Sequence, residues 1–229
     1  MDLKREVFLG AAEALGRQSE YINLFGKLDF DFWKEQDILK GNIGAGNKLH
    51  LIAGIETIEA YARANQFWVS ALFDLSKIRM KVEEVKVEIS TKDSIIAMLS
   101  NHRDEALASM KVLANSGAQS KDAYEFHRKR FDDLQRDIAA EMSEKTRQHS
   151  SLAKLLMEIS AIGLTSHAEF SKRLLVVNLA ARREVELPID ENRYRELQLI
   201  IMNEVQETSH AYIREMKHLI SEQEKKVDP

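Results

Sequence analysis

The chain contains no cysteine, and its 229 residues include only two prolines, Pro188 and Pro229. Without cysteine there is no disulfide framework, no thiol nucleophile and no thiolate-bound zinc, and the absence fits a reducing compartment. With no proline before residue 188, helices can run far without a forced break. Aromatic residues are scarce at 7%, whereas charged residues make up 31%. That balance suits long helices with hydrated outer faces better than a β-rich fold. No apolar run approaches the roughly 18–20 residues that span a bilayer. The opening MDLKREVFLGAAEALG is broken by charge and does not read as a secretory signal. The formal net charge is −4, so nothing global points to nucleic acid.

What the sequence does have is periodicity. In residues 2–15, Leu3, Val7, Phe8, Ala11 and Leu15 fall on one side, with Lys4, Arg5 and Glu13 elsewhere. This predicts a short amphipathic helix, packed on a bundle or, as the sharper alternative, inserted in a membrane surface. We divide the chain into an N-terminal segment, 1–16, and a main helical domain, 17–229. Phe25, Leu28 and Phe32 keep helical spacing, so helix is expected to continue. GNIGAGNK at 41–48 does not fit a phosphate loop: Asn47 precedes Lys48, Leu49 follows it, and no strand-like run comes before. A helix break or a close helix–helix approach explains its glycines better.

From Lys48 the pattern is regular. Tyr61, Ala64, Trp68, Ala71, Leu75, Ile78, Val82, Val85, Ile89, Ile96, Leu99, Ala106, Met110 and Leu113 follow steps of three and four, interrupted by Lys92 and Arg103. Sustained 3–4 alternation is a coiled-coil seam, and about 65 such residues would span roughly 100 Å. Asn115-Ser-Gly117 is a natural stop and Ser120 a natural start. The next helix carries Phe131, Leu134, Ile138, Met142, His149, Leu152, Leu156, Ile159, Phe170, Leu174 and Val177, with Gly163 a candidate kink. It should end near Glu186-Leu187, ahead of Pro188. Asp190 can cap a third helix, with Tyr194, Leu197, Ile201, Val205, Tyr212, Met216 and Leu219 as its seam. The predicted fold is all-α: three long antiparallel coiled-coil helices, elongated, with an N-terminal helical segment.

Few constellations suggest chemistry. Glu207-x-x-His210 and Glu215-x-x-His218 lie on one helix, so they cannot face each other across a bundle as a di-metal site requires. His149 on an apolar seam reads as a hydrogen-bonded core residue. Thin coiled coils also lack the concave pocket most enzymes need. We therefore expect no enzyme, no cofactor and no nucleic-acid partner. Basic residues do cluster. His127-Arg128-Lys129-Arg130 is one group and Lys172-Arg173 another. Arg182 and Arg183 precede the Pro188 turn, and Arg193 and Arg195 follow it, so four guanidinium groups should converge there. Acids at Asp132, Asp133, Glu184, Glu186 and Glu191 partly offset them.

Some stretches resemble a known family. KDSIIAMLSNHRDEAL (92–107) resembles the late first helix of sorting-nexin BAR domains, and AGNKLHLIAGIETIEAYARANQFWVSALFDLSKI (45–78) an earlier part of that helix. ELPIDENRYRELQLIIMNEVQETSHAYI (186–213) resembles the second-turn and third-helix region. The resemblance covers residues from about 20 to 222 and implies a crescent-shaped dimer in membrane trafficking, such as at endosomes. It implies peripheral, cytoplasmic binding to anionic phospholipid, with curvature sensing or shaping. On this reading Arg182, Arg183, Arg193 and Arg195 contact the membrane, with Arg128, Lys129, Arg130, Lys172 and Arg173 as further candidates. The dimer core would hold Tyr61, Phe67, Trp68, Leu72 and Phe73, which occupy several faces of one helix. The slightly acidic net charge departs from the basic balance of many such domains. No phosphoinositide-binding module or SH3 domain accompanies the helices. The competing reading is a coiled-coil scaffold or adaptor that binds protein partners and no lipid. A pore-forming toxin component would need an apolar hairpin, which no segment supplies.

Overall fold

The computed structural model describes residues 2–25, 27, 30, 37–115, 121–186 and 190–227, and these are helical almost throughout, with no strand among them. Five helices follow in order: α1 (Asp2–Leu24), α2 (Asp37–Ile52), α3 (Ile55–Asn115), α4 (Lys121–Glu184) and α5 (Glu191–Val227). The all-α class expected from composition is thus observed. Two compact units partition the chain: Met1–Met80 with Leu155–Pro229, and Lys81–Lys154.

The first unit holds the main core. On α1, Phe8, Ala11, Leu15, Gln18, Ile22 and Phe25 are all buried, and their spacing alternates three and four, the signature of a packed seam. The boundary expected after residue 16 therefore falls inside a continuous helix that belongs to this core. Tyr21, Phe25 and Phe30 form a ring cluster, with Phe25 and Phe30 centroids 4.7 Å apart and Tyr21 edge-on to both. Against it pack Trp68 and Leu75 of α3 and Ile159 and Phe170 of α4. The α1–α3 contact is also fixed by hydrogen bonds. The Trp68 indole donates to the Gln18 carbonyl at 3.1 Å, and the Gln18 amide donates to Asn65 at 2.8 Å.

One sequence expectation gives way here, and of the two offered for the 41–48 glycines the close approach holds. Helix was expected to run on past Phe25, but α1 ends at Leu24. There the Arg79 guanidinium, only 6% exposed, donates to the carbonyls of Phe25, Lys27 and Phe30 and stacks over the Phe30 ring. Those carbonyls find their partner in a side chain from α3 instead of in a further turn of helix. Leu28 and Phe32 lie outside the described residues. The 41–48 glycines, in turn, do not break α2, which runs through them. Gly46 is instead a close approach, because an added Cβ would lie 3.1 Å from the Tyr61 hydroxyl oxygen. The break comes later, at Ala53-Gly54, so the long helix starts at Ile55 rather than Lys48.

In the Lys81–Lys154 unit, Val82, Ile89, Ala106 and Ile138 are buried. The α3 seam read from sequence is its inward face, and Lys92, which interrupts it, meets Glu141 at 2.7 Å. On α4 the reading fails locally. Met142 and His149 are exposed, and the inward positions belong to Glu141, Lys145 and Gln148. These pair with Lys92, Asp93 and Glu88 respectively. An ion-paired layer has displaced the apolar seam, which turns His149 outward. α3 ends at Asn115 and α4 begins at Lys121; Gly117, Ser120, Leu187 and Pro188 lie outside the described residues. Asp190 does cap α5, accepting from the Arg193 backbone N–H at 3.0 Å. Of the expected α5 seam, Tyr194 is half-buried, and the side chains of Val205, Met216 and Leu219 lie outside the described ones. Met202 is buried, while Leu197, Ile201 and Tyr212 are exposed.

Candidate functional site

The end of α4 and the start of α5 carry the four arginines expected to converge. Asp190 starts α5 just after α4 stops, so residues on both sides of the turn share one neighbourhood. Arg183 donates Nε and Nη2 to the two carboxylate oxygens of Glu191, each at 2.6 Å, and Nη1 to Glu56 at 2.6 Å. Arg195 lies 3.7 Å from the same Glu191. The Arg182 guanidinium sits 5.5 Å from the Tyr194 ring centroid. Arg193 is exposed on the first turn of α5. The arginines do gather, but Glu56 of α3 and Glu191 of α5 pair with two of the four, Arg183 and Arg195. The Glu191 pair and Glu56 push the Arg183 pKa up, and Arg183 holds Glu191 below the usual carboxylate range.

Beside them lies a knot that the sequence reading missed. The Glu184 carboxylate accepts from the Gly54 backbone N–H at 2.8 and 3.0 Å, from the Thr57 hydroxyl, and from Lys4 of α1 at 3.1 Å. It caps the first turn of α3 from a distance of 130 residues, in place of a local capping side chain. Burial alone would raise the Glu184 pKa. The hydrogen bonds from Thr57, Gly54 and Lys4 outweigh that and hold it below its ordinary value. No sequence motif marks such a cap, because its two halves share no local spacing.

The remaining candidates divide. Lys172 and Arg173 both pair with Glu169, at 3.5 and 3.4 Å, and Arg173 stacks 4.6 Å from the Phe67 ring centroid. Arg128, Lys129 and Arg130 are exposed, and among the described residues none forms an ion pair with them. Of the expected dimer core, Tyr61 and Trp68 are already buried, in a core that α1 helps to build. Phe67 and Leu72 are half-buried against the same core. Phe73 alone stands in water, 65% exposed. Tyr61, Phe67, Trp68 and Leu72 are thus used within one chain, in a core to which the seam on α1 contributes.

Among the described residues no group of three or more histidines and acids is arranged to hold a metal, and no helix is long and apolar enough to cross a membrane. Glu207, His210, Glu215 and His218 are exposed on α5. An open groove of about 600 Å³ between α1 and α2 is lined by Leu3, Leu9, Gly10, Gly44, Lys48 and Leu51 among others. Compared with known proteins, the chain matches no family model, no curated protein and no solved structure.

Proposed function

We propose that the chain is a non-enzymatic helical module of BAR-like build that pairs with a second copy and binds anionic membrane surfaces peripherally, from the cytoplasmic side. The observation that carries this reading is apolar surface left in water along long helices. Phe73 and Met80 on α3 and Leu197, Ile201 and Tyr212 on α5 are all about half exposed or more. Exposed apolar side chains that share a face of an otherwise polar helix mark contact surfaces, and a second copy is the partner always at hand. Within each unit the order of pairings supports an antiparallel α3–α4 arrangement. Glu56 meets Arg183 and Phe67 meets Arg173 in one, and Glu88 meets Gln148 and Lys92 meets Glu141 in the other. Membrane contact is electrostatic on this reading, with exposed cations facing lipid head groups, each contributing on the order of 1 kcal/mol. A rigid dimer that engages many head groups together would prefer matching curvature.

Ultracentrifugation and vesicle co-sedimentation test the two halves. A dimer at low micromolar concentration that sediments with anionic but not neutral vesicles is expected. A stable monomer would remove the first half, and absence from the vesicle pellet the second. One observation favours the scaffold reading: Arg183, Arg195, Lys172 and Arg173 already have carboxylate partners. On that reading the dimer forms and vesicles of any composition leave it in solution.

A further inference from the structure

Of the basic residues singled out in the sequence, Lys172, Arg173, Arg183 and Arg195 have carboxylate partners within the chain. The run on α4 differs. Arg128, Lys129 and Arg130 are exposed, while nearby acids are engaged elsewhere: Glu125 with Lys121 at 3.8 Å, and Asp133 with Arg136. Asp122 and Asp132 remain as local negative charge. Beside the run stand two aromatic residues, Phe126 at 63% exposure and Tyr124 at 38%. Phe126, Lys129 and Arg130 are spaced i, i+3, i+4 and share a face; Tyr124 and Arg128, spaced i, i+4, share the adjoining one. Phe131, Leu134 and Ile138 take the inward side of the same helix.

We propose that this stretch of α4, residues 124–130, is where the chain meets an anionic phospholipid surface. The Phe126 ring enters the boundary between head groups and acyl chains, and Arg128, Lys129 and Arg130 lie on the phosphates. The inference rests on the membrane reading above and places its contact here instead of at the α4–α5 turn expected from the sequence. A ring in water gains from transfer into an apolar layer, and aromatic side chains beside cations are the pairing that suits a membrane–water interface. The exposed aromatic and basic face named here lies on α4. It suits a deformable lipid surface better than a protein partner, which needs shape complementarity across a wider patch.

The absence of cysteine makes the test direct, since Phe126→Cys introduces a unique thiol. Labelled there with an environment-sensitive dye, the full chain is mixed with phosphatidylcholine vesicles containing phosphatidylserine. A blue shift at position 126, with none for the same label at Phe73→Cys, is the expected result. Lys129→Glu with Arg130→Glu should weaken vesicle flotation at least about tenfold, given the value of each cation near such a surface. Arg182→Glu with Arg193→Glu should change it little. If the unlabelled chain floats but the dye at 126 does not respond and the Lys129/Arg130 variant floats equally well, this site is wrong and the membrane reading survives. If the unlabelled chain does not float at all, both fall. A dye response to an acidic protein but not to vesicles would assign the surface to a protein partner instead.

Discussion

Glu184 shows how much one side chain can hold. It ties the start of α3, the end of α4 and the first turn of α1 with hydrogen bonds from Gly54, Thr57 and Lys4. Glu184→Gln keeps the shape and removes the charge, so it should cost about 1–2 kcal/mol, the usual range for a lost charged cap. For a chain of this size that is a fall of several degrees in Tm. The pH dependence has a definite sign. The folded-state pKa lies below the ordinary 4.5, so the stabilisation is complete above that value and is lost as pH falls through the lower folded pKa. Melting curves from pH 7 to pH 3 should therefore converge for wild type and Glu184→Gln at the acid end. Parallel curves would show that the carboxylate is not the source. Two residues on, Glu186 holds φ at 54° just past the end of α4. A left-handed conformation there is what glycine tolerates best. Glu186→Gly should raise stability by about 0.5–1 kcal/mol, read as an increase in urea midpoint at unchanged slope.

At the scale of elements, the glycines of α1 and α2 separate into two kinds that the sequence alone cannot tell apart. Gly10 faces open space, so an added methyl meets nothing within 4 Å. Gly10→Ala should stabilise α1 by about 0.5–1 kcal/mol through helix propensity. Gly46→Ala gains the same propensity but pushes on the buried Tyr61 ring at 3.1–3.2 Å. It should come out destabilising, because a ring fixed in a packed core yields little. Thermal melts of the two variants would rank them in opposite directions around wild type. The same contrast runs through the seams. On α3 a 3–4 pattern read from sequence is the buried face. On α4, Glu141, Lys145 and Gln148 take the inward positions, because Lys92, Asp93 and Glu88 wait across from them. A pattern of apolar residues ranks positions by hydrophobicity, and it has no means of seeing that a partner carries the complementary charge.

At the scale of the whole molecule, α5 carries apolar side chains that its own chain leaves exposed. Leu197, Ile201 and Tyr212 lie in water, and among the described side chains of α5 it is Met202 that is buried. Leu197→Glu with Ile201→Glu should leave helicity unchanged, since both positions are exposed. On the proposal of a dimer, the same variant should shift the sedimentation equilibrium toward monomer by at least about tenfold. That scale follows from removing two large apolar side chains from an interface, at about 25 cal/mol per Å². A variant that remains as dimeric as wild type would exclude this face. Tyr61→Ala and Trp68→Ala make the converse case. Both residues belong to the core of one unit, so their loss should lower stability by about 3–5 kcal/mol whatever the state of association.

The sequence by itself determined the class of the fold, the inward face of α3, the stop at Asn115 and the cap at Asp190. All of these follow from local spacing or from one residue's reach along its own helix. It also determined that basic residues gather around the α4–α5 turn. Only the tertiary structure decided what those residues are free to do. Arg183 is held by Glu56, more than a hundred positions away, and Tyr61 and Trp68 of α3 are buried in a core that α1 helps to build. Charge and apolar surface are conserved quantities along a chain, but their availability depends on which partner the fold brings within a few ångströms. For long-range pairs that partner has no fixed spacing in the sequence to betray it.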